Sequence, residues 1–178
     1  MTFTDYTGTV TVTGGSGTET YTLGAGTESI TAGAGVDDFN VASAAALAST
    51  DVLTGGTGTD VINFSAAQTV VDSQLTGVST VETITAGDVA MNITLGAQAT
   101  EAGIVTVTLG DAANTLVASS HTLDTAITGG SKIIYAVTQD GKEYPIGEKK
   151  QRSKTGILGK LSTVYNYHPS LQKCLKKQ

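Results

Sequence analysis

Polar and apolar residues recur along this chain with a short, fixed period. From Gly14 to Asn40 the sequence falls into three words of nine, GGSGTETYT, LGAGTESIT and AGAGVDDFN, each with glycine at places two and four, an acid at six and an apolar residue at eight. Nine residues with two glycines are too few for a helical repeat, and glycine weakens a helix by about 1 kcal/mol per position. Each word therefore reads as a glycine turn followed by a short strand, TYT, SIT or DFN, with Tyr21, Ile30 and Phe39 pointing inward. Strands this short persist only when successive words stack and share a parallel ladder. Two words per coil make an 18-residue turn of a flattened solenoid, with strands on two faces and glycine turns along two edges.

The pattern continues less regularly. GGTGTDVIN at 55–63 repeats it, with Asp60 in the acid place and Ile62 in the apolar one, and LGDAANTLV at 109–117 is a weaker copy with Asn114 in place of the acid. Gly14 and Gly55 are 41 apart, which is not a multiple of nine, so VASAAALASTDVLT at 41–54 holds an insertion. VETIT, MNITLG and IVTVTLG alternate as half-buried strands do, and TGTVTVT from Thr7 to Thr13 offers a regular threonine face of the kind that resembles ice-binding solenoids, in a single run rather than a stacked set.

Charge divides the chain near Gly130. Residues 1–130 carry thirteen acids and no lysine or arginine, a formal charge of -13, whereas 131–178 carry all ten basic residues and three acids, +7, for the total of -6. We read 1–130 as an acidic solenoid and 131–178 as a basic C-terminal appendage. IIYAVTQDGKEYPI places Asp140-Gly141 between apolar runs and predicts a hairpin. Ile157, Leu158, Leu161, Val164 and Tyr165 recur at helical spacing and predict a short amphipathic helix, and SLQKCLKKQ a second short one. The appendage fits three roles: a cap on the solenoid end, a segment docked on the acidic body, or a surface for an anionic partner such as nucleic acid, although no recognised nucleic-acid motif accompanies the charge.

The nonapeptides resemble the RTX family, whose word is G-G-x-G-x-D-x-U-x with U apolar. Gly14 to Tyr21 and Gly55 to Ile62 carry the likeness, apart from Glu19 for aspartate, and VSTVETIT and LGAQATEAGIVTVTLGDAANTLVAS are similar to linking segments of large bacterial surface proteins of the S-layer and adhesin kind. The resemblance covers about residues 5 to 130 and implies a right-handed parallel β-roll outside the cell, with calcium between turns on the same edge. On that reading Glu19 and Asp37, 18 apart, share an edge and hold an ion with the carbonyls of Gly15, Gly17, Gly33 and Gly35. Asp60 marks a second site. Glu28 falls on the opposite edge with Val10 and Ala46 as its neighbours, so only one acid pair is complete. Glutamate is one methylene longer than the aspartate of the family word and weakens the site, toward the millimolar affinity of extracellular modules. The alternative is that these acids are solvated turn residues.

Other chemistry is sparse. His121 and His168 stand in no nucleophile or metal motif, one cysteine, Cys174, forms no internal disulfide, and no apolar run reaches the roughly 18 residues of a membrane span. MTFTDYTG has neither the basic nor the apolar stretch of a Sec-type signal peptide. The expectation is therefore an extracellular or cell-surface structural module, not an enzyme, serving as spacer, lattice or adhesive scaffold. Its partners would be a second copy or a cell-surface component. The rival is a binding module whose basic end engages an anionic partner while the solenoid only carries it.

Overall fold

The computed structural model describes residues 1–118 and 120–129 in full, and the backbone of four further strands at 134–137, 143–145, 152–156 and 160–164. The chain is a β-solenoid of mostly parallel sheet. Its first coil contains β1 (Thr9–Thr13) and β2 (Thr20–Thr22), and its second β3 (Thr27–Gly35) and β4 (Asp38–Val41). Thr9 pairs with Thr27 and Tyr21 with Phe39, so the first step is the 18 residues that two words of nine require. The next step is longer. β5 (Val52–Gly58) and β6 (Val61–Phe64) pair Ile30 with Leu53 and Phe39 with Ile62, an offset of 23. Five extra residues are thus accommodated in the 42–51 loop, where Ala46 and Leu47 turn into the core and Leu47 O accepts a 2.7 Å bond from Gln74 Nε2.

From the third coil the section gains a third face. β7 (Gln68–Val70), a 3-10 turn at Asp72–Leu75, β8 (Val78–Ser79), β9 (Thr83–Ala86), β10 (Met91–Thr94), helix α1 (Ala97–Ala102), β11 (Thr106–Leu109), β12 (Asn114–Val117) and β13 (Thr125–Thr128) follow. One sheet runs β1-β3-β5-β8 and is succeeded by α1, which packs against β8. A second runs through β2, β4, β6, β9, β11 and β13, and a third through β7, β10 and β12. The two-faced section expected from the nonapeptides thus describes the first coils only. VETIT, MNITLG and IVTVTLG supply β9, β10 and β11 as their alternation predicts.

The core is a stack of like side chains. Tyr21, Phe39, Ile62, Ile84, Val107 and Ile127 occupy one register column of the second sheet and are all buried. Ile30 sits in the first sheet at 1% exposure, so Tyr21, Ile30, Phe39 and Ile62 lie inside as their place in the word predicts. Tyr21 and Phe39 stack with ring centroids 5.6 Å apart. Outside the same sheet, Asn63 Nδ2 donates to Asn40 Oδ1 at 2.9 Å and Thr85 Oγ1 donates to Asn63 Oδ1 at 2.9 Å, a polar ladder that fixes register from coil to coil.

The basic end continues the ladder and then reverses it. β14 (Ile134–Val137) is parallel to β12, whereas β15 (Glu143–Pro145) returns antiparallel to β14, the pairing expected of a hairpin, with residues 138–142 outside the described set. β16 (Arg152–Gly156) is antiparallel to β13, and β17 (Lys160–Val164) to β16. The helix expected over 157–165 is thus replaced by a strand at 160–164. Its period came from apolar spacing alone, and pairing with β16 satisfies the same backbone donors without it. The helix expected in SLQKCLKKQ lies outside the described residues.

Candidate metal centre

The main-chain ladder breaks at each corner between the glycine segment and the second sheet. β3 ends at Gly35 and β4 begins at Asp38; β5 ends at Gly58 and β6 begins at Val61. The acid of each word fills that gap with its side chain. Asp37 Oδ1 accepts the N–H of Glu19 at 2.7 Å, Asp60 Oδ1 that of Asp37 at 2.8 Å, and Glu82 Oε2 that of Asp60 at 2.9 Å. Glu19, Asp37, Asp60 and Glu82 therefore form one continuous column along the axis. Each lies two residues before a core member, Tyr21, Phe39, Ile62 and Ile84, and that spacing is the signal by which Glu82, outside any nonapeptide, could have been found.

This arrangement overturns the reading of the acids as solvated turn residues, because Asp37 and Asp60 are fully buried. Each uses one oxygen on the preceding coil, and the second, Oδ2 of Asp37 and of Asp60, is buried without a hydrogen-bond partner, as is Glu19 Oε2. The Tyr21 hydroxyl is also buried and unpartnered, and it lies close enough to feel both acids. Its pKa is raised first by burial and then by Glu19 and Asp37. Burial also pushes the Asp60 carboxyl above its ordinary range, against a bond from Asp37 N–H that lowers it, with the charges of Asp37 and Glu82 raising it further.

The glycines of the site do not reverse the chain tightly as expected. Gly33 and Gly35 belong to β3 and pair with Gly56 and Gly58 of β5. Their φ values of 118° and 130° disfavour an L side chain, and a Cβ on either would run into the carbonyl oxygen of Gly15 or Gly17 one coil below. Gly15 O accepts the Ala34 N–H at 2.9 Å. Glu19 Oε1 lies 3.5 Å from where a Cβ of either Gly15 or Gly17 would stand, so the acid folds back between them. Asp60 Oδ2 occupies the space that a side chain at Gly55 would need. Glu19, Asp37, Asp60, Gly15, Gly17, Gly33 and Gly35 are thereby brought to one edge.

The opposite edge also differs from expectation. Val10 pairs with Glu28 as the spacing requires, but the insertion brings Asp51, not Ala46, onto Glu28, and Ala46 is a core residue. Asp51 Oδ1 accepts Glu28 N–H at 3.1 Å and its Oδ2 accepts Ala48 N–H at 2.8 Å, whereas Glu28 Oε1 accepts Gly24 N–H at 3.1 Å and Oε2 is left buried and unpartnered. A second acid pair is thus complete. Further on, Asn114 belongs to the third sheet and its Oδ1 accepts Met91 N–H at 2.9 Å, the acid's role in neutral form.

His121 is buried, with Nε2 2.9 Å from Ile104 O and Nδ1 3.1 Å from Thr100 Oγ1. His168 and Cys174 lie outside the described residues. Among the described residues no group of three or more His, Cys, Asp or Glu side chains converges as a metal site, and no helix is long and apolar enough to cross a membrane. An ion at the carboxylate column would therefore draw on backbone carbonyls as well as side chains.

No family model matches the chain, and no curated protein and no solved structure matches it.

Proposed function

We propose that residues 1–130 form a calcium-stabilised structural module of an extracellular or cell-surface protein of the RTX kind, a stiff spacer or scaffold. The observation that carries this reading is the column of like charges with unused oxygens. Glu19 Oε2, Asp37 Oδ2 and Asp60 Oδ2 are each without a donor, in a place where burial and the neighbouring acids already oppose charge on Asp60. Oxygen-rich anionic sites of this composition suit calcium, which takes six to eight oxygens in flexible geometry. Glu19 and Asp37 would hold one ion with carbonyls of Gly15, Gly17, Gly33 and Gly35, and Asp60 would mark a second site. The ion would supply the positive charge that the column lacks.

What the chain itself contributes is the frame. The corner carboxylates tie consecutive coils through backbone N–H groups, and the stacked glycines let those coils approach closely. Titration of calcium chloride into the chelator-treated protein, followed by calorimetry, tests the proposal. Wild type should give a saturable heat that Asp37→Ala loses. Equal heats in both proteins, or none in either, would overturn it.

A further inference from the structure

One member of the core column in the second sheet is polar. Phe39, Ile62, Ile84, Val107 and Ile127 end in hydrocarbon, whereas Tyr21, 2% exposed, ends in a hydroxyl that is buried and has no partner. Packing does not require that oxygen. Phe39, stacked on Tyr21 with ring centroids 5.6 Å apart, fills the same place one coil on without it. A hydroxyl removed from water without a bond is unfavourable, and a buried orphan of this kind marks the place of a water or an ion.

The backbone shows where the hydroxyl goes. Gly14, Ala32 and Gly55 follow one another along the axis, in registers that pair Thr13 with Thr31 and Thr31 with Thr54. Each coil fills the space inside this position differently. A Cβ on Gly14 would run into the Tyr21 hydroxyl, and a Cβ on Gly55 would run into Asp60 Oδ2, whereas Ala32 between them brings its own buried methyl. The Tyr21 oxygen thus stands in the first coil where an oxygen of the acid column stands in the third.

Three buried oxygens without a partner therefore belong to the corner of the first two coils: Tyr21 Oη, Glu19 Oε2 and Asp37 Oδ2. Tyr21 carries a proton that either carboxylate would accept, yet it bonds to neither. Both acids are nonetheless near enough for their charges to act on the phenol. Oxygens that are neighbours without bonding one another are arranged as ligands around a shared ion are, and calcium takes six to eight of them at about 2.3 to 2.6 Å.

We propose that the Tyr21 hydroxyl is a ligand of the ion held by Glu19 and Asp37, a neutral oxygen on the inner side of the site. The phenol keeps its proton and binds through a lone pair. This rests on the calcium reading above, and it adds a residue that the apolar eighth place of the nonapeptide does not provide. It also ranks the two sites. Asp60 precedes Ile62, whose side chain has no oxygen, so the second site lacks this ligand and is the weaker.

The test is calorimetric titration of calcium chloride into the chelator-treated full chain, as wild type and as Tyr21→Phe. The variant should still give a saturable heat, with the tighter ion bound more weakly by roughly tenfold or more, at least the loss that follows removal of a group orienting a metal site. In chelator it should melt no lower than wild type, because only an unpartnered hydroxyl is lost, and it should gain less on addition of calcium. Terbium chloride supplies a second reading. Emission excited through tyrosine should saturate in wild type and in Tyr6→Phe, and should be largely lost in Tyr21→Phe. Equal calcium affinity in wild type and Tyr21→Phe, or sensitised terbium emission at the wild-type level in Tyr21→Phe, would overturn the role of Tyr21 and leave the calcium site standing. Absence of any calcium heat in wild type would overturn both.

Discussion

The first coils and the later ones solve the same corner problem with different chemistry. In the first, Asp37 and Asp60 satisfy a neighbouring N–H with one oxygen and leave the other buried and idle. In the later ones the substitutes are saturated. Asn114 accepts from Met91 and returns its amide hydrogens to Gly110 O at 3.1 Å and Ala112 O at 3.0 Å. Asp72 accepts three N–H groups at the start of α1, from Gly96, Gln98 and Ala99. A neutral or fully bonded corner is complete by itself. A column of half-used carboxylates is not, and it is the part of the molecule whose stability should answer to its solvent ions.

The comparison breaks most severely in the core that both halves share. Ile30 is nearly fully buried, and Ile30→Asp would place a carboxylate with no partner in a narrow apolar interior, at a cost of several kcal/mol. Thermal unfolding followed by circular dichroism should show loss of the cooperative transition. A wild-type melting temperature would mean that the coils do not stack around this residue.

Glycine offers the next largest contrast. Gly58 has φ 140°, and a Cβ there would run into Gly35 O, whereas a Cβ on Gly87 would meet nothing. Gly58→Ala should therefore cost about 3 kcal/mol from backbone strain and displacement, and Gly87→Ala should stay close to neutral. Similar urea midpoints for the two variants would show that the glycine columns are not what brings the early coils together.

Asp72→Ala is expected to cost about 1–2 kcal/mol, in the range of a lost helix cap, because the bonds to Gly96, Gln98 and Ala99 go together. Since this corner is saturated, the loss should be the same in calcium and in chelator. A calcium-dependent loss would erase the distinction between the two regions.

These contrasts also show which features could be read from the sequence. The nine-residue word encodes a side-chain column and a stacking step, and both follow from local sterics, so Tyr21, Ile30, Phe39, Ile62 and the 18-residue first coil were legible. The insertion was visible as a broken period, but its consequence was not. Five extra residues displace Ala46 and bring Asp51 beside Glu28, and only the register fixes that. The third sheet carries only the weak copy at 109–117, which supplies β12, and α1 in AQATEA is bounded by Gly96 and by Gly103 at φ 96°, a start and stop that the strand-like alternation around it hides. At the basic end, the spacing of Ile157, Leu158 and Leu161 fits a helix locally, while the available edge of β13 and β16 favours a strand. Of the site, the pair Glu19 and Asp37 was legible, with Asp60 as a separate acid place; that Asp60 and Glu82 continue the same column was not, because the steps of 23 and 22 residues there depart from two words of nine.

The smallest expected effect isolates one half-used carboxylate away from the calcium column. Burial raises the pKa of Glu28, opposed by the bond from Gly24 N–H and assisted by the nearby charge of Asp51. The native protein then binds this proton more tightly than the unfolded chain does. Stability from protonated Glu28 is fully present below the ordinary glutamate range and is lost as pH rises through the higher native value. Glu28→Gln mimics the protonated form, keeping an oxygen for Gly24 and offering an amide in place of the unpartnered Oε2. In chelator at neutral pH the variant should melt roughly 1–2 °C above wild type, less than the shift that about 1 kcal/mol produces in a chain of this size. As pH falls through the window above the ordinary glutamate range the difference should shrink, because wild type acquires the proton that the variant imitates. A difference that stays constant with pH, or a variant less stable than wild type at neutral pH, would show that Glu28 is held as a carboxylate by Gly24 and carries no cost of burial.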